Sequence, residues 1–254
     1  MTSQAVTYDL ILTTMSRNPE LVDEAQQLRH EVFSADGEGL AQSATTGRDA
    51  DVFDERCDHL LVRANGGNEA GRIIATYRLQ TGMDALRNHG YYTEQEFDMS
   101  QLEKFRKEII ELGRAVVHKD HRQGPVLMKL LAGIAHYAMK RGGRYLVGCG
   151  SIPGKENTVA AASIYHANLN NLSPQEFRVS PLPHGACPLK PIIIPAPKMP
   201  KLMRLYMSMG AKFCGPPFID KEFNTIDLFI FIDLVEALLS PAKRFFGEIE
   251  IKES

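Results

Sequence analysis

The sequence predicts an α/β domain of two or three layers, and three observations lead there. Stretches of strand character alternate with stretches of helical periodicity along one chain, as in a sheet covered by helices. Apolar residues make up 44 % and charged residues 24 %, enough to bury a core. The length of 254 residues fits one large domain or one domain with an insertion. We expect a single domain over residues 1–254 with a proline-rich insertion at about 176–200.

In chain order, residues 6–12 are apolar and strand-like. Asn18-Pro19 opens a helix over 19–33, with Leu21, Ala25, Leu28 and Val32 at helical spacing. Residues 34–52 are rich in Gly, Ser, Thr and Asp and read as a long loop. Residues 59–64 and 72–79 read as strands joined by a hairpin turn at Asn65-Gly66-Gly67-Asn68. A polar connection with short elements follows over 80–98, then a strand over 108–117. The clearest helix covers 126–140. Pro125 opens it, Leu127, Leu130, Leu131, Ile134 and Ala138 continue its apolar stripe from Val126, and Gly142-Gly143 follows its end. A strand over 145–149 and a helix over 157–172 come next. Residues 181–200 hold seven of the fourteen prolines and read as an extended insertion. A helix over 201–209 and strands over 211–215 and 226–233 complete the pattern.

Bulk properties exclude several classes. With 29 basic and 31 acidic residues the net charge is −2, so no strong field draws the chain to nucleic acid. The four cysteines are scattered with no C-x-x-C pair, which argues against a metal site of that kind and against a secreted disulfide framework. No basic-then-apolar signal precedes Tyr8, and no run approaches 18 apolar residues. The expectation is a cytoplasmic protein with no metal and no tightly bound cofactor.

The strand–turn–helix over 111–140 carries the main chemistry. The helix start offers free N–H groups and the positive dipole end to a phosphate. Gly124 permits close backbone approach, and Arg122 adds a charged donor. That phosphate would belong to coenzyme A or phosphopantetheine; the alternative is an ordinary cap with solvated charges. Glu111 and Arg114 precede this turn at odd spacing, so a regular strand would point them to opposite faces and a β-bulge would bring them to one. Glu111 can then act as a base, or the two form a structural ion pair. Asp49, Asp51, Asp54, Glu55 and Asp58 stand against Arg48 and Arg56, either to hold a cation or simply as a solvated loop. The residues around Ser151 fail the spacing of a nucleophile elbow.

Together these pieces resemble the GNAT superfamily. Val116-Val117-His118-Lys119-Asp120-His121-Arg122-Gln123-Gly124-Pro125 resembles its acyl-thioester motif, with Lys119 in place of the usual proline. Leu205-Tyr206-Met207-Ser208-Met209-Gly210-Ala211 resembles a second motif, with Ala for Phe at the end. A more specific resemblance is to the ornithine-lipid-forming, acyl-carrier-protein-dependent N-acyltransferases. It rests on Arg29, Val32 and Phe33, on Phe53 to Leu60 (with Asp54 and His59), on Ala75 to Leu79 (with Arg78), and on Glu111-Leu112-Gly113-Arg114. It also rests on Tyr92, Phe97 and Asp98, continues through Gly148 to Gly154 and from Gly210 to Pro217 with Asp220 and Asp227, and covers roughly residues 20 to 235. Arg29, Phe33, Asp51, Asp54, Arg78, Glu111 and Arg114 are also similar to signature positions of the acyl-homoserine-lactone synthases, but this chain lacks the tryptophan those synthases usually carry.

The resemblance implies a GNAT-type fold with a mixed, mostly antiparallel central sheet flanked by helices. It implies N-acyl transfer from an acyl-phosphopantetheine thioester, on acyl carrier protein or coenzyme A, to the α-amine of an amino acid such as ornithine. The implied catalytic residues are Glu111 as base with Asp54 as its rival, Arg114, and Tyr206 as donor to the leaving thiolate. The implied thioester site is Val116, Val117, His118, Arg122, Gln123, Gly124 and Val126. The implied acceptor site is Arg29, Phe33, Asp51, His59 and Arg78. The alternatives are an acyl-homoserine-lactone synthase using S-adenosylmethionine, or a non-catalytic thioester-binding module. Lys190, Lys198 and Lys201 around the apolar, proline-rich insertion suggest peripheral contact with the inner face of a membrane; the bland alternative is a stiff loop packed on the domain.

Overall fold

The computed structural model describes residues 6–122, 125–247 and 249–254. Strand β1 (Thr7–Thr14) leads into helix α1 (Pro19–Asp36) and a single turn, α2 (Ser43–Thr46). Strands β2 (Asp58–Asn65) and β3 (Ile73–Thr81), helix α3 (Gly82–Arg87) and the short β4 (Phe97–Asp98) follow. Next come β5 (Ile109–Val117), α4 (Pro125–Lys140), β6 (Tyr145–Pro153), α5 (Thr158–Ala167) and β7 (Ser180–Pro181). The chain ends with α6 (Lys201–Ser208), β8 (Lys212–Phe213), β9 (Phe218–Asp220), β10 (Thr225–Asp233), α7 (Leu234–Leu239) and β11 (Lys252–Glu253).

Nine strands form one sheet in the order β11-β1-β2-β3-β5-β6-β10-β8, with β9 on β10; β4 and β7 make a separate pair. Only β1–β11 and β5–β6 run parallel, so the sheet is mixed and mostly antiparallel, as the resemblance implied. On one face Leu10, Leu60 and Ile74 pack against Leu130, Leu131 and Ile134 of α4, and this core continues to Met203 and Tyr206 of α6. On the other face, Ile11, Leu61, Ile73 and Val116 pack against Leu21, Ala25, Leu28 and Val32 of α1. Further along that face Val147, Phe229 and Phe231 pack against Phe97 and Phe177. Helix α1 starts as the sequence indicates: Asn18 Oδ1 accepts from the Leu21 N–H at 3.2 Å, with Pro19 at the first position.

Three local expectations are corrected. The loop expected from residue 34 starts later, because α1 runs on to Asp36 and stops at Gly37, φ 78°. The turn between β2 and β3 is longer than a tight hairpin, since residues 66–72 include a short 3-10 turn at Gly67–Glu69. The helix expected over 157–172 is only the ten residues of α5. Beyond Pro181 the proline-rich stretch has no regular element until α6, and the N–H of Ile193 donates to Ser163 Oγ on α5 at 2.7 Å.

Candidate active site

Two irregularities in β5 create the site. The first is a bulge. Arg78 faces Gly113 and Thr76 faces Val116, so Arg114 and Ala115 together oppose Tyr77. Arg114 takes φ 51°, a left-handed value that costs a non-glycine residue roughly 1 kcal/mol or more. The extra residue turns Arg114 to the same face as Glu111, and both side chains line one cavity.

The second irregularity is a splay. Strands β5 and β6 pair only from Ile109–Glu111 to Tyr145–Val147, and diverge beyond. They separate at Gly148, where a Cβ would lie 2.3 Å from the Leu112 carbonyl oxygen. The wedge holds a cavity of about 820 Å³. Consecutive residues Tyr77 to Gln80, Glu111 to Val117 and Cys149 to Ser151 all line it. Neighbours on a strand point to opposite faces, so the cavity passes through the sheet. On the α4 side its wall is Tyr77, Leu79, Leu127, Leu130, Met203 and Tyr206, which is apolar. On the α1 side it is polar, with Arg78, Tyr92, Glu111, Arg114, Asp220 and Asp227.

Behind the polar wall lies a lattice of three arginines and three aspartates. Arg29 Nη2 donates to Asp54 Oδ2 at 2.6 Å and to the Asp49 carbonyl at 2.5 Å. Arg78 Nη1 donates to Asp51 Oδ1 at 2.6 Å and Asp54 Oδ1 at 3.2 Å. Arg114 donates from Nε to Asp49 Oδ1 at 3.0 Å and from Nη2 to Asp51 Oδ2 at 2.8 Å. The Arg114 guanidinium also stacks between the Tyr92 and Phe223 rings, 4.7 and 4.8 Å from their centroids.

This geometry corrects several expected roles. Asp54 does not line the cavity. Burial raises its pKa, but Arg29 and Arg78 outweigh burial and hold the carboxyl far below the usual range. A carboxylate so strongly paired is a poor base, so Asp54 is set aside as rival to Glu111. Arg29 is 0 % exposed and spent on Asp49 and Asp54, so it does not reach an acceptor. His59 is also 0 % exposed, and its Nε2 pairs with the Asp54 carbonyl at 3.0 Å. Burial, then Arg29 and Arg78, push it down to about 4, so it is neutral and structural. Asp51 orients Arg78 and Arg114 from outside the cavity wall.

Glu111 reaches the cavity but is not free. Its Oε2 accepts from the Tyr92 N–H at 2.9 Å, and its Oε1 from the Thr93 N–H at 2.9 Å and Oγ1 at 2.7 Å. It thus caps the 3-10 turn Tyr92–Gln95 and holds Tyr92 against the site. Burial raises its pKa against those three donors. One lone pair on Oε2 is left for a proton or a water.

Tyr206 lies on the apolar side, its hydroxyl bonded to that of Tyr77. Burial, then Tyr77, keep it protonated. Phe33 stands at the cavity wall with its ring edge to Phe223. Of the expected thioester residues, Val116, Val117 and Arg122 line the cavity, and Arg122 Nη2 pairs with Asp36 at 2.7 Å. His118 does not: its N–H donates to the Ile74 carbonyl and its ring meets Glu31. The side chain of Val126 is in the core. Gln123 and Gly124 lie outside the described residues.

Sequence reasoning gave no site role to Tyr92, Glu38, Cys149, Ser151, Asp220 or Asp227, all on the cavity wall. Asp227 had a usable signal, an acid near the start of the apolar strand β10, whose other acid, Asp233, stands at the strand's end. Among the described residues, two groups of acidic, histidine or cysteine side chains have ligand atoms within 4.8 Å of one another: Glu69, His118 and His121, and Glu96, Cys149 and Asp227.

Known proteins match this arrangement. Residues 28–132 match the Acetyltransferase (GNAT) domain family. The L-ornithine N(alpha)-acyltransferase of Agrobacterium fabrum is 31 % identical over 251 residues, covering 94 % of this chain and 86 % of that protein. The chain belongs to the L-ornithine N(alpha)-acyltransferase family. The protein of that name from Rhizobium meliloti is 30 % identical over 239 residues, 87 % of this acyltransferase and 79 % of the relative. Solved structures agree on the fold. The CoA-dependent acyl-homoserine lactone synthase BjaI with MTA superposes at a TM-score of 0.55 and 14 % identity, over 98 % of this chain and 94 % of its own. The synthase LasI gives 0.50 and 12 % identity, over 91 % and 90 %. The acyltransferase thus has a GNAT-type fold, and no described helix is long and apolar enough to cross a membrane.

Proposed function

We propose that this acyltransferase moves a fatty acyl group from the phosphopantetheine thioester of acyl carrier protein to the α-amine of an amino acid such as ornithine, giving a lyso-ornithine lipid or N-acyl amino acid. The observation that carries this reading is the cavity through the sheet. Its apolar half suits an acyl chain, its polar half an amino acid, and the splay between β5 and β6 lies where the two must meet. The names of the curated relatives support the acceptor class.

In this reading the β5 edge takes the thioester. Beyond Glu111 it has no partner strand on the β6 side, so N–H groups near Val116 and Val117 can polarise the carbonyl, worth ~3 kcal/mol. Lys119 and Arg122 at the rim meet the phosphate. Arg78 and Arg114 receive the acceptor carboxylate. The α-amine, with a pKa near ~8, enters as the free base, and the proton its nitrogen sheds as the amide forms passes to Glu111 or to a water held by it. The nitrogen bonds to the carbonyl carbon, the C–S bond breaks, and the thiolate takes a proton from Tyr206 or solvent.

The test is acyl transfer with a long-chain acyl carrier protein and, separately, the matching acyl-CoA, with products read by mass spectrometry. N-acylornithine is expected, faster from the carrier protein. A lactone formed from S-adenosylmethionine, or no product, overturns the reading. Glu111→Gln should cost about 10²-fold in kcat and flatten the low-pH limb of the rate profile. Full activity across pH would show that Glu111 is not the base.

Contact with a membrane belongs to the same reading, since the product is a lipid. Ile193 and Ile194 are 55 % and 80 % exposed on the proline-rich segment, and the neighbouring Pro200 to Met203 line the cavity. Ile194→Glu is expected to lower co-sedimentation with anionic liposomes; unchanged binding removes this surface from consideration.

A further inference from the structure

The polar half carries more acid than the reaction above uses. Asp227, on β10 directly opposite Ser151 of β6, is 3 % exposed, and its Oδ1 has no partner. Glu96 follows the turn that Glu111 caps, is also 3 % exposed, and lies behind the cavity wall next to Cys149. Its Oε2 accepts from the Cys149 thiol at 3.2 Å, and its Oε1 has no partner. Polar atoms of Glu96, Cys149 and Asp227 lie within 4.8 Å of one another. Burial and Asp227 keep Glu96 protonated and it reaches Asp227, so the group that lacks a charged donor is the Asp227 carboxyl on the cavity wall, whose unpaired buried Oδ1 costs about 1–3 kcal/mol.

The surroundings say what kind. Asp220 stands beside them, its Oδ1 taken by the N–H groups of Glu222 and Phe223 and its Oδ2 by the Tyr92 hydroxyl at 3.3 Å. Glu38 faces the same cavity. No lysine or arginine among the described residues forms an ion pair with Glu38, Glu96, Asp220 or Asp227. The strain shows in their titration. Burial, then Asp220, push Asp227 up to about 6. Burial, then Asp227, hold Glu96 well above the carboxyl range, and burial, Asp36 and Asp227 raise Glu38 to about 7. A bound cation relieves all three. A metal fits poorly: burial and Glu96 keep the Cys149 thiol protonated, and Asp220 is already engaged, leaving few oxygen ligands.

Tyr92 sets the spacing. Its ring lies under the Arg114 guanidinium and its hydroxyl reaches Asp220. The carboxylate clamp and the acidic wall therefore meet at Tyr92, with Arg114 4.7 Å from its ring centroid and Asp220 Oδ2 3.3 Å from its hydroxyl, so one short diamino acid can touch both. We propose that Asp227, with Asp220 beside it on the cavity wall and Glu96 behind it, forms a subsite for the side-chain ammonium of the acceptor, so that the enzyme selects diamino acids over their monoamino counterparts. This rests on the amino-acid acyltransferase reading above.

The test compares ornithine with norvaline, which has the same carbon chain and no second amine, using one acyl-carrier-protein donor. Wild type is expected to favour ornithine in kcat/KM by roughly 30-fold or more. Asp227→Asn is expected to collapse that ratio toward one, chiefly through the ornithine KM, and Glu96→Gln to lower it less, because Glu96 acts through Asp227. The wild-type ratio needs no variant, and thermal unfolding shows which variants are folded. Equal use of both acceptors by wild type, or an unmoved ratio in a folded variant, overturns the subsite and leaves the acyltransferase reading standing. Acylation of neither acceptor overturns that reading itself. Stoichiometric uptake of zinc or calcium alone by wild type, lost in Asp227→Asn, shows a metal site and also overturns the proposal.

Discussion

Asp54→Asn should lose roughly 3–5 kcal/mol of stability in urea unfolding, although it touches no substrate. Its carboxylate is 1 % exposed and answers two guanidiniums, Arg29 at 2.6 Å and Arg78 at 3.2 Å. Arg29 is 0 % exposed and cannot turn to water when that charge is removed. Its remaining carboxylate, Asp49 at 3.3 Å, is shared with Arg114 at 3.0 Å. Asp51→Asn should cost less, because its side chain is 15 % exposed and both partner arginines keep a second aspartate. Acid gives an independent check. The folded state depresses the Asp54 pKa, so this carboxylate contributes its stability above the unfolded value of ~3.9 and loses it as pH falls toward the folded value. Wild type should therefore weaken below about pH 4, and Asp54→Asn should show a shallower acid slope. A variant within 1 kcal/mol of wild type, with an unchanged slope, would mean that the lattice is not a stabilising unit.

The largest loss of activity is expected at Arg114. Arg114→Lys keeps the charge but cannot donate to Asp49 and Asp51 at once or stack flat between Tyr92 and Phe223. We expect kcat/KM for ornithine to fall about 10³-fold, mostly in KM. Putrescine, which is ornithine without its carboxylate, separates recognition from general damage. Wild type should strongly prefer ornithine, and Arg114→Lys should lose most of that preference. If the variant stays folded and still discriminates as wild type does, Arg114 does not meet the carboxylate.

The fold was largely readable because its elements obey simple periods. Helix α4 shows an apolar stripe and β10 a long apolar run, and both lie where those patterns put them. What periodicity cannot show is pairing. β9 and β11 are too short to carry an alternating pattern, and the two-residue β4 and β7 exist only because they meet each other. At the site, a bulge bringing Glu111 and Arg114 together could be framed from spacing, since two residues three apart on a strand share a face only through an extra residue. Depth could not. Arg29, Asp54 and His59 look like site residues in sequence because they sit among charges, yet they form the layer behind the wall. Tyr92 stands in a 3-10 turn held by Glu111, and Asp220 ends the three-residue β9, and no local pattern announces either position.

The splay between β5 and β6 has a consequence for how the product departs. In the proposed reading, once the amide forms, a single molecule has its head on one face of the sheet and its tail on the other. If backbone enclosed the opening, that molecule would be a thread through a ring, and it could leave only by pulling its whole charged head past the Leu112 and Gly148 pinch or its tail through the polar half. The two strands do not re-pair beyond Glu111 and Val147, so the opening is a notch with one free end. A joined product can slide sideways along the notch, toward the ends of β5 and β6, without either end crossing to the other's side.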